Sequence, residues 1–417
     1  MEFTTLGALV GLVLAIVLII KKVHPAYSLI LGALVGGIVG GGGLTGTVDT
    51  MVSGAQSMMS SVLRILTSGI LAGALIKTGS AEKIADVIVS KLGERFAIIS
   101  IAISTMIICA VGVFVDISVI TVAPIAMAIG LKAGYNKPAI LLAMIGGGKA
   151  GNIISPNPNT IATAEAFQTD LTALMMRNIL PAIAAVIVTI LLASFLAKKK
   201  NGAQLSAAEL EESAEKSLPS FLASIAGPLV VIVLLALRPL FSVTIDPLIA
   251  LPLGGVVCML ACGQIRHIVP YCEFGLSKVL GVSILLIGTG TLAGIIKASA
   301  IQTDMITLLE MASLPAFVLA PISGILMAGA TASTTAGATI ASQTFSGALL
   351  QSGVPALDAG AMIHAGATVI DSLPHGSFFH ATGGSVNMQI KERMKLIPYE
   401  ALVGLTSTVV SCIVYLL

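Results

Sequence analysis

The chain has 417 residues, 56% of them hydrophobic and only 10% charged, whereas soluble domains carry about 25% charged residues. This composition excludes a soluble globular protein and indicates that the chain folds in a lipid bilayer. The 22 basic and 20 acidic residues nearly balance, so no nucleic-acid partner is expected.

Apolar segments of membrane-spanning length follow one another along the chain. The first has its lysines after it rather than before it, so we interpret it as a retained span and not as a signal peptide. Two segments are too long for one crossing and contain polar interruptions, so each predicts either two crossings or one re-entrant hairpin. In chain order the predicted segments are 6–20, 25–43, 59–77, 97–131 (long), 137–153, 178–197, 219–237, 244–262, 276–296, 314–350 (long), 357–371 and 396–416.

A polar stretch near the middle divides the chain into two similar halves. The tripeptide Leu-Ala-Gly at residues 71–73 recurs at residues 292–294, and in both halves it is followed by an amphipathic segment, a hairpin and a proline-interrupted helix. Internal repeats in membrane proteins are typical of transporters. The predicted organisation is a first repeat at 1–197, a cytoplasmic linker at 198–218 and a second repeat at 219–417.

The distribution of charge predicts the orientation. If both long segments return to their own side, each half crosses the membrane an odd number of times, so the halves are inverted relative to each other. With the N-terminus outside, most lysines and arginines fall on the inner side, as the positive-inside rule requires. We therefore predict an all-α polytopic protein of the inner (plasma) membrane, with two inverted repeats of about five spans, each with a re-entrant hairpin and a discontinuous helix.

Polar residues in the first half mark one predicted part of a site. Asp116 lies in the polar interruption at residues 115–118, where a carboxylate costs about 2.5–3.5 kcal/mol unless it is paired, hydrated or protonated. It is either a cation or proton site or a helix cap. In GGGKAGNIISPNPNT, from Gly146, two prolines stop a helix and Lys149 falls at mid-depth. This lysine predicts a salt bridge with Asp116 or Asp371, attraction of an anionic substrate, or both.

The second half supplies the matching features. The hairpin sequence TASTTAG at residues 331–337 offers hydroxyl groups, which suit an anion or a dehydrated ion, although small residues also favour helix packing. Asp371 and His375 stand four residues apart in the second interruption, which is typical of proton coupling, although a helix end could equally satisfy the histidine.

The candidate residues therefore come from both hairpins and both interruptions. No HExxH motif, CxxC pair or histidine cluster occurs, so neither a metal site nor a cofactor is expected. The candidate proton-coupling residues are Asp116, Asp371 and His375. The candidate substrate-binding residues are Asp116, Ser118, Lys149, Asn152, Ser155, Asn157, Asn159, Thr160, Ser333, Thr334, Thr335, Ser372 and His375.

These motifs resemble the gluconate permease (GntP) family of proton symporters, within the wider ion transporter superfamily. The resemblance covers nearly the whole chain. It is carried by FVDIS at residues 114–118, SPNPNT at 155–160, the hydroxyl-rich segment 331–339 and the glycine-rich segment 366–376. It implies a symporter of a small organic anion, such as gluconate or another sugar or hydroxy acid, and a homodimer with an elevator arrangement of scaffold and transport domains.

Three other functions are open to the sequence. The same oxygen atoms could coordinate sodium in a sodium-coupled carboxylate transporter. An ion channel is less favoured, because channels build filters from symmetric subunits. An intramembrane enzyme could use Asp116 with Asp371, or His375 with Ser372, but no nucleophile elbow or metal-binding helix supports it, and we expect no enzymatic activity.

Overall fold

The computed structural model describes residues 3–93, 96–199, 203, 205, 218–241, 243, 245–301, 304, 307, 311, 315–374 and 376–417. Within these ranges the regular structure is helical, apart from an isolated β-bridge between Phe3 and Ser299. The predicted all-α fold class is confirmed, whereas most of the predicted linker 198–218 lies outside the described residues.

The helices of the first half follow the predicted apolar segments closely. Short polar caps set their beginnings: Thr4 caps the first helix, and Asn136 accepts a hydrogen bond from the Ala139 amide at the start of the eighth. In chain order the helices are α1 (Thr5–Ile20), α2 (Pro25–Val39), α3 (Gly43–Gln56), α4 (Met59–Lys77), α5 (Ser80–Leu92), α6 (Ala97–Ala110), α7 (Val115–Lys132), α8 (Lys137–Asn152), α9 (Pro158–Ala166), α10 (Leu171–Arg177) and α11 (Ile179–Ala197).

The second half has a similar order, although α3 and α5 have no counterpart among its described helices. A pair of apolar helices precedes a long helix, a hairpin, an interrupted helix, a short helix and a final apolar helix. These are α12 (Phe221–Phe241), α13 (Pro247–Ala261), α14 (Ile268–Lys297), α15 (Leu319–Thr331), α16 (Thr334–Gln351), α17 (Ala356–Gly366), α18 (Ser377–Gly384), α19 (Ile390–Met394) and α20 (Ile397–Leu416), with 3-10 turns at Ile265–His267 and Ala316–Val318.

Several of the described helices are suited to a bilayer. By length and composition, five helical segments could cross a membrane: Met59–Lys77, Val115–Lys132, Ile179–Ala197, Ile265–Lys297 and Ile390–Leu416. Six further apolar helices are shorter. The protein is therefore a multi-pass membrane protein.

Close helix crossings join the two halves. A Cβ added to Gly275 of α14 would lie 1.9 Å from the Gly69 carbonyl oxygen of α4, so only glycine permits this crossing. The hairpins and interrupted helices also exchange partners between halves, because α9 packs on α16 and α18 packs on α7. This exchange brings the two hairpin turns and the two interruptions into one region.

The first hairpin turns earlier than the sequence predicts. The turn occupies residues 111–114, where Gly112 adopts a φ of 110°, a value that residues with a Cβ rarely adopt. The prediction that residues 115–118 form the interruption is therefore wrong: these residues begin α7. Asp116 lies in the first turn of that helix, where the helix dipole favours an acid.

The second hairpin turn is shorter than predicted. It consists of Ala332, with a left-handed φ of 47°, and Ser333, whose hydroxyl accepts a hydrogen bond from the Ala336 amide. Thr331 is the last residue of α15, and the two threonines that follow Ser333 begin α16. The polar residues assigned to the interruption thus lie mostly in helical ends, where capping satisfies the backbone.

A candidate anion site at the helix interruptions

A cavity of about 240 Å³ lies where the two hairpin turns and the two interruptions meet. The first turns of four helices form much of its wall: Asp116 comes from α7, Asn159 from α9, Thr334 from α16 and Ser377 from α18. Helix α14 completes the wall with Lys278.

The convergence of these helices places partial positive charges in the wall of the cavity. Each α-helix N-terminus carries roughly half a positive elementary charge, from amide groups that lack a partner within the helix. Four such ends face one small cavity. Interrupted helices in transporters use this arrangement to bind anionic groups.

The first interruption is held together by neutral side chains. Pro158 occupies the first position of α9, and Asn157 caps the helix by accepting hydrogen bonds from the amides of Asn159 at 3.0 Å and Thr160 at 3.2 Å. The side-chain nitrogen Nδ2 of Asn157 donates to Asn152 Oδ1 at 2.7 Å. The freed backbone is thus satisfied without any charged group.

This neutral network extends to the other half through Asn159. Its Nδ2 donates to Asn152 Oδ1 at 2.9 Å, and its Oδ1 accepts a hydrogen bond from Thr335 Oγ1 at 2.5 Å. Both asparagines are almost fully buried. The contact fixes the start of α16 against the start of α9.

The second interruption is held by a buried ion pair. Lys149 Nζ lies 2.6 Å from Asp371 Oδ1, and the two side chains are only 2% and 3% exposed. Thr334 Oγ1 donates to Asp371 Oδ2 at 2.5 Å, and Ser372 Oγ donates to Oδ1 at 3.0 Å. Lys149 also donates to the Thr368 carbonyl at 2.6 Å. Of the two predicted partners of Lys149, the structure selects Asp371.

A second pair of opposite charges, Asp116 and Lys278, lines the same cavity. Asp116 comes from the first turn of α7, and Lys278 lies in the first half of α14, where its ammonium group is 5.0 Å from the ring centroid of Phe274. Phe114 and Phe378 add apolar surface to the same cavity. The site therefore combines charge, hydroxyl and amide groups, and aromatic rings.

The structure divides the predicted site residues into two groups, and His375 lies outside the described residues. Some line the cavity, and others lie behind its wall, where most bond to backbone or to neighbouring side chains. Lining the cavity are Asp116, Asn152, Asn159, Ser333, Thr334, Thr335 and Asp371. Behind the wall are Ser118, Lys149, Ser155, Asn157, Thr160 and Ser372.

Sequence reasoning missed Lys278. The predicted segment begins at residue 276 and therefore places Lys278 at its end, whereas α14 begins at Ile268 and places Lys278 well inside the helix. The available signal would have been a lysine inside a predicted apolar segment, with no charged residue between it and Lys297.

A third group of charges lies outside this cavity. Arg64 of α4 forms ion pairs with Glu165 of α9 and, at 2.8 Å, with Asp246, which caps α13. The hydrogen bond from Arg64 lowers the pKa of the Asp246 carboxyl below its usual value. Arg64 thus connects α9, the helix after the first interruption, to α4 and α13, which do not line the cavity.

The fold is that of known membrane transporters. The YdaH transporter of Alcanivorax borkumensis matches with a TM-score of 0.69 and 14% identity, covering 88% of each chain. MtrF of Neisseria gonorrhoeae, described as one of a class of antimetabolite efflux pumps, matches with a TM-score of 0.62 and 16% identity, covering 89% of this chain and 83% of that one.

The chain belongs to the GntP permease family, whose model matches residues 3–417. An uncharacterized transporter of Haemophilus influenzae is 55% identical over 99% of this chain and 98% of its own length. The high-affinity gluconate transporter of Escherichia coli is 27% identical over 53% of this chain and 50% of its own. The D-serine transporter DsdX of the same organism is 21% identical over 78% and 79%. Membership of a permease family confirms the resemblance and the transporter class.

Proposed function

We propose that the protein is a secondary active symporter that moves a small organic anion together with protons across the inner (plasma) membrane. The convergence of four helix N-termini on one small cavity carries this proposal, because such a site favours negative charge. Gluconate and D-serine, named for two relatives, both carry a carboxylate and a hydroxyl group. The proposed substrate is accordingly gluconate or another sugar or hydroxy acid.

The N-terminus of α18 is the proposed position of the substrate carboxylate. Its N-cap is Gly376, which has no side chain to accept hydrogen bonds from the first amides of the helix, and Ser377 at its start lines the cavity. In contrast, Asn157 and Ser333 already cap α9 and α16. Substrate hydroxyl groups would then contact the threonines and asparagines of the opposite helix ends.

Asp116 is the proposed carrier of the coupled proton. Its carboxylate lines the cavity, so it repels an anionic substrate until it is protonated. Anion binding and proton binding therefore favour each other by the same free energy, which is the basis of symport. Asp371 already holds an ion pair and two hydroxyl donors, so we assign it to holding the site together.

The proposed mechanism is an elevator with inverted repeats in a homodimer. The similar helix order supports the duplication. The first arms of the hairpins, α6 and α15, have 14 and 13 residues and rise only about 20 Å, less than a core of about 30 Å, and a tight turn directly after each arm reverses the chain. Both hairpins are therefore proposed to be re-entrant. The hairpins and interrupted helices would form the moving part, and α1 to α4 with α12 to α14 the scaffold.

Uptake into proteoliposomes tests the proposal. We expect purified protein to catalyse gluconate counterflow and to accumulate gluconate when the outside is made acidic, but not when only a sodium gradient is applied. Asp116→Asn should keep counterflow and lose accumulation driven by the pH gradient, since the amide resembles the protonated acid. Asp86→Asn, which alters an exposed ion pair with Lys83, is the matched control and should behave like the unmodified protein.

Two results would count against this function. Folded, monodisperse protein that shows no counterflow of any sugar or hydroxy acid would refute organic-anion transport. Accumulation that follows the sodium gradient would keep the substrate class and replace the proton with sodium.

A further inference from the structure

Three helices beside the cavity enclose buried polar side chains that the proposed transport cycle does not use. Helices α9, α16 and α17 pack against one another pairwise. Between them lie Thr163 of α9, Thr339, Ser342 and Gln343 of α16, and His364 of α17, which we call the polar seam. Each of these side chains is at most 1% exposed.

Contacts between the helices fix the level at which the seam begins. Ser342 Oγ lies 3.4 Å from Thr163 Oγ1, and a Cβ added to Gly360 of α17 would lie 3.3 Å from the Thr163 side chain. The three helices therefore meet at this level. Thr339 stands three residues from Ser342 on α16, and His364 stands four residues from Gly360 on α17. Each therefore lies about one helical turn from that contact and on the same face of its helix.

The opposite faces of the same helices are occupied by α15. A Cβ added to Gly337 would contact Ala328, and one added to Gly366 would contact Pro321. Thr339 and His364 each stand two residues from these glycines, which is about 200° around a helix. Their side chains therefore point away from α15 and into the seam.

The seam contains polar atoms that lack partners among the described residues. Both ring nitrogens of His364, both amide atoms of Gln343 and the hydroxyl of Thr339 have no hydrogen-bond partner there. A buried polar group left unpaired costs about 1–3 kcal/mol, and native proteins satisfy nearly all such groups with protein atoms or ordered water. Five unpaired polar atoms on the adjoining faces of α16 and α17 indicate that the seam holds a small polar ligand.

No charged side chain from the described parts of the neighbouring helices pairs with His364. Helices α15 and α16 contain no titratable residue. The acids on or near the other packed elements are engaged elsewhere: Glu165 with Arg64, Asp358 with Arg177, Asp371 with Lys149 and Glu400 with Arg393. A neutral ligand therefore fits the seam better than an ion.

We propose that the polar seam holds a short chain of water molecules and that this chain, with His364 as its relay, delivers the coupled proton to the cavity. At the N-terminal ends of α9 and α16, Asn159 contacts Thr335, and both residues line the cavity. Asp116 lines the same cavity. A neutral imidazole accepts the excess proton of a hydronium ion on one ring nitrogen, which leaves a neutral water, and releases the proton of its other ring nitrogen to the next water. The Asp116 carboxylate receives the proton at the end of the chain. This role rests on the proposed symport function.

Hydroxyl-radical footprinting by X-ray radiolysis tests the hydration of the seam without any transport assay. Radicals formed from bound water oxidise the residues beside it, even when those residues are buried. Met362 is the matched control, because it lies on the same helix, is 0% exposed and belongs to an apolar cluster. We expect His364 to be oxidised faster than Met362, although methionine is intrinsically the more reactive side chain.

Transport by His364→Ala tests the relay. We expect this variant to lose proton-driven gluconate accumulation by more than about tenfold while keeping gluconate counterflow, which also shows that it is folded. His267→Ala, which alters a histidine stacked on Tyr271 away from the seam, should match the unmodified protein in both assays.

Each outcome bears on the proposal separately from the proposed function. His364 labelling no faster than that of Met362 would mean that the seam is dry and would overturn the proposal. So would normal proton-driven accumulation by His364→Ala. Failure of the unmodified protein to move any sugar or hydroxy acid would refute symport, and with it the relay, whereas the labelling result would still decide whether the seam is hydrated.

Discussion

The two interrupted helices satisfy their freed backbone in different ways. Between α8 and α9 the groups are neutral, and Asn157 hydrogen bonds to Asn152 and to the first amides of α9, all within the first half of the chain. Between α17 and α18 the central group is the Asp371 carboxylate, whose counter-charge, Lys149, comes from the other half.

This difference separates an interruption whose helix cap lies in its own half from one whose counter-charge comes from the other half. The cap of the first interruption is Asn157, and the other half adds only a neutral hydrogen bond from Thr335 to Asn159. The charged interruption leaves a buried, unpaired charge whenever Lys149 is withdrawn, so the two halves of the site must move as one unit. The comparison teaches that both interruptions contact the other half, but that only the ion pair leaves a buried, unpaired charge when the contact is lost.

The largest predicted effect comes from breaking the buried ion pair. Lys149→Met should lower the free energy of unfolding by about 3–5 kcal/mol, because Asp371 then remains buried without a counter-charge. Thermal unfolding in detergent micelles measures the loss. Combining Lys149→Met with Asp371→Leu should recover most of the stability, since a buried ion pair replaced by apolar side chains is often neutral. A single variant as stable as the unmodified protein would contradict the dependence of the second interruption on the first half.

A matched pair of threonines compares the two interruptions directly. Thr334 donates to the charged Asp371 and Thr335 to the neutral Asn159, both at 2.5 Å. Replacement by the isosteric valine should cost about 1.5–3 kcal/mol at Thr334 and about 0.5–1.5 kcal/mol at Thr335, because hydrogen bonds to charged groups are stronger. Equal losses in the unfolding midpoints of the two variants would show that the charge of Asp371 adds nothing to the contact.

The neutral interruption depends on its cap. Asn157→Ala should cost about 1–2 kcal/mol, because it leaves the first amides of α9 without an acceptor. Asn157→Ser keeps a capping oxygen and should recover much of that stability. The same unfolding assay distinguishes the two variants, and an alanine variant as stable as the serine variant would mean that the cap is dispensable.

The smallest predicted effect concerns Arg64, which forms one ion pair with Glu165 of α9 and another with Asp246 at the start of α13. Arg64 lowers the pKa of Asp246, so this pair stabilises the folded state above the ordinary aspartate pKa of about 3.9 and loses that contribution as the pH falls further. The partly exposed pair contributes less than about 1 kcal/mol. Thermal unfolding midpoints measured from pH 6 down to pH 3 should fall less in Asp246→Asn than in the unmodified protein, and identical pH profiles would contradict the pairing.

Much of the fold follows from local features of the sequence. The apolar segments predict the helices because insertion in a bilayer depends on the hydrophobicity of each segment by itself. Pro156 and Pro158 likewise predict the first interruption, since proline removes a backbone donor wherever it stands. The hairpin turns were misplaced because the backbone conformations of Gly112 and Ala332 decide them, and polar composition does not report those conformations.

The pairing of charges could not be read in the same way. The sequence allowed Lys149 to pair with either Asp116 or Asp371. Only the packing of α8 against the second half selects Asp371. Lys278 lines the cavity, and Arg64 pairs with Glu165, because segments that are far apart in the chain come into contact. The sequence by itself determined the bilayer environment, the helices and the places where two of them break, because these depend on hydrophobicity and backbone chemistry over a few turns. Only the tertiary structure decided which charges pair and which helix ends face one cavity, because electrostatic partners are set by distances that no single segment contains.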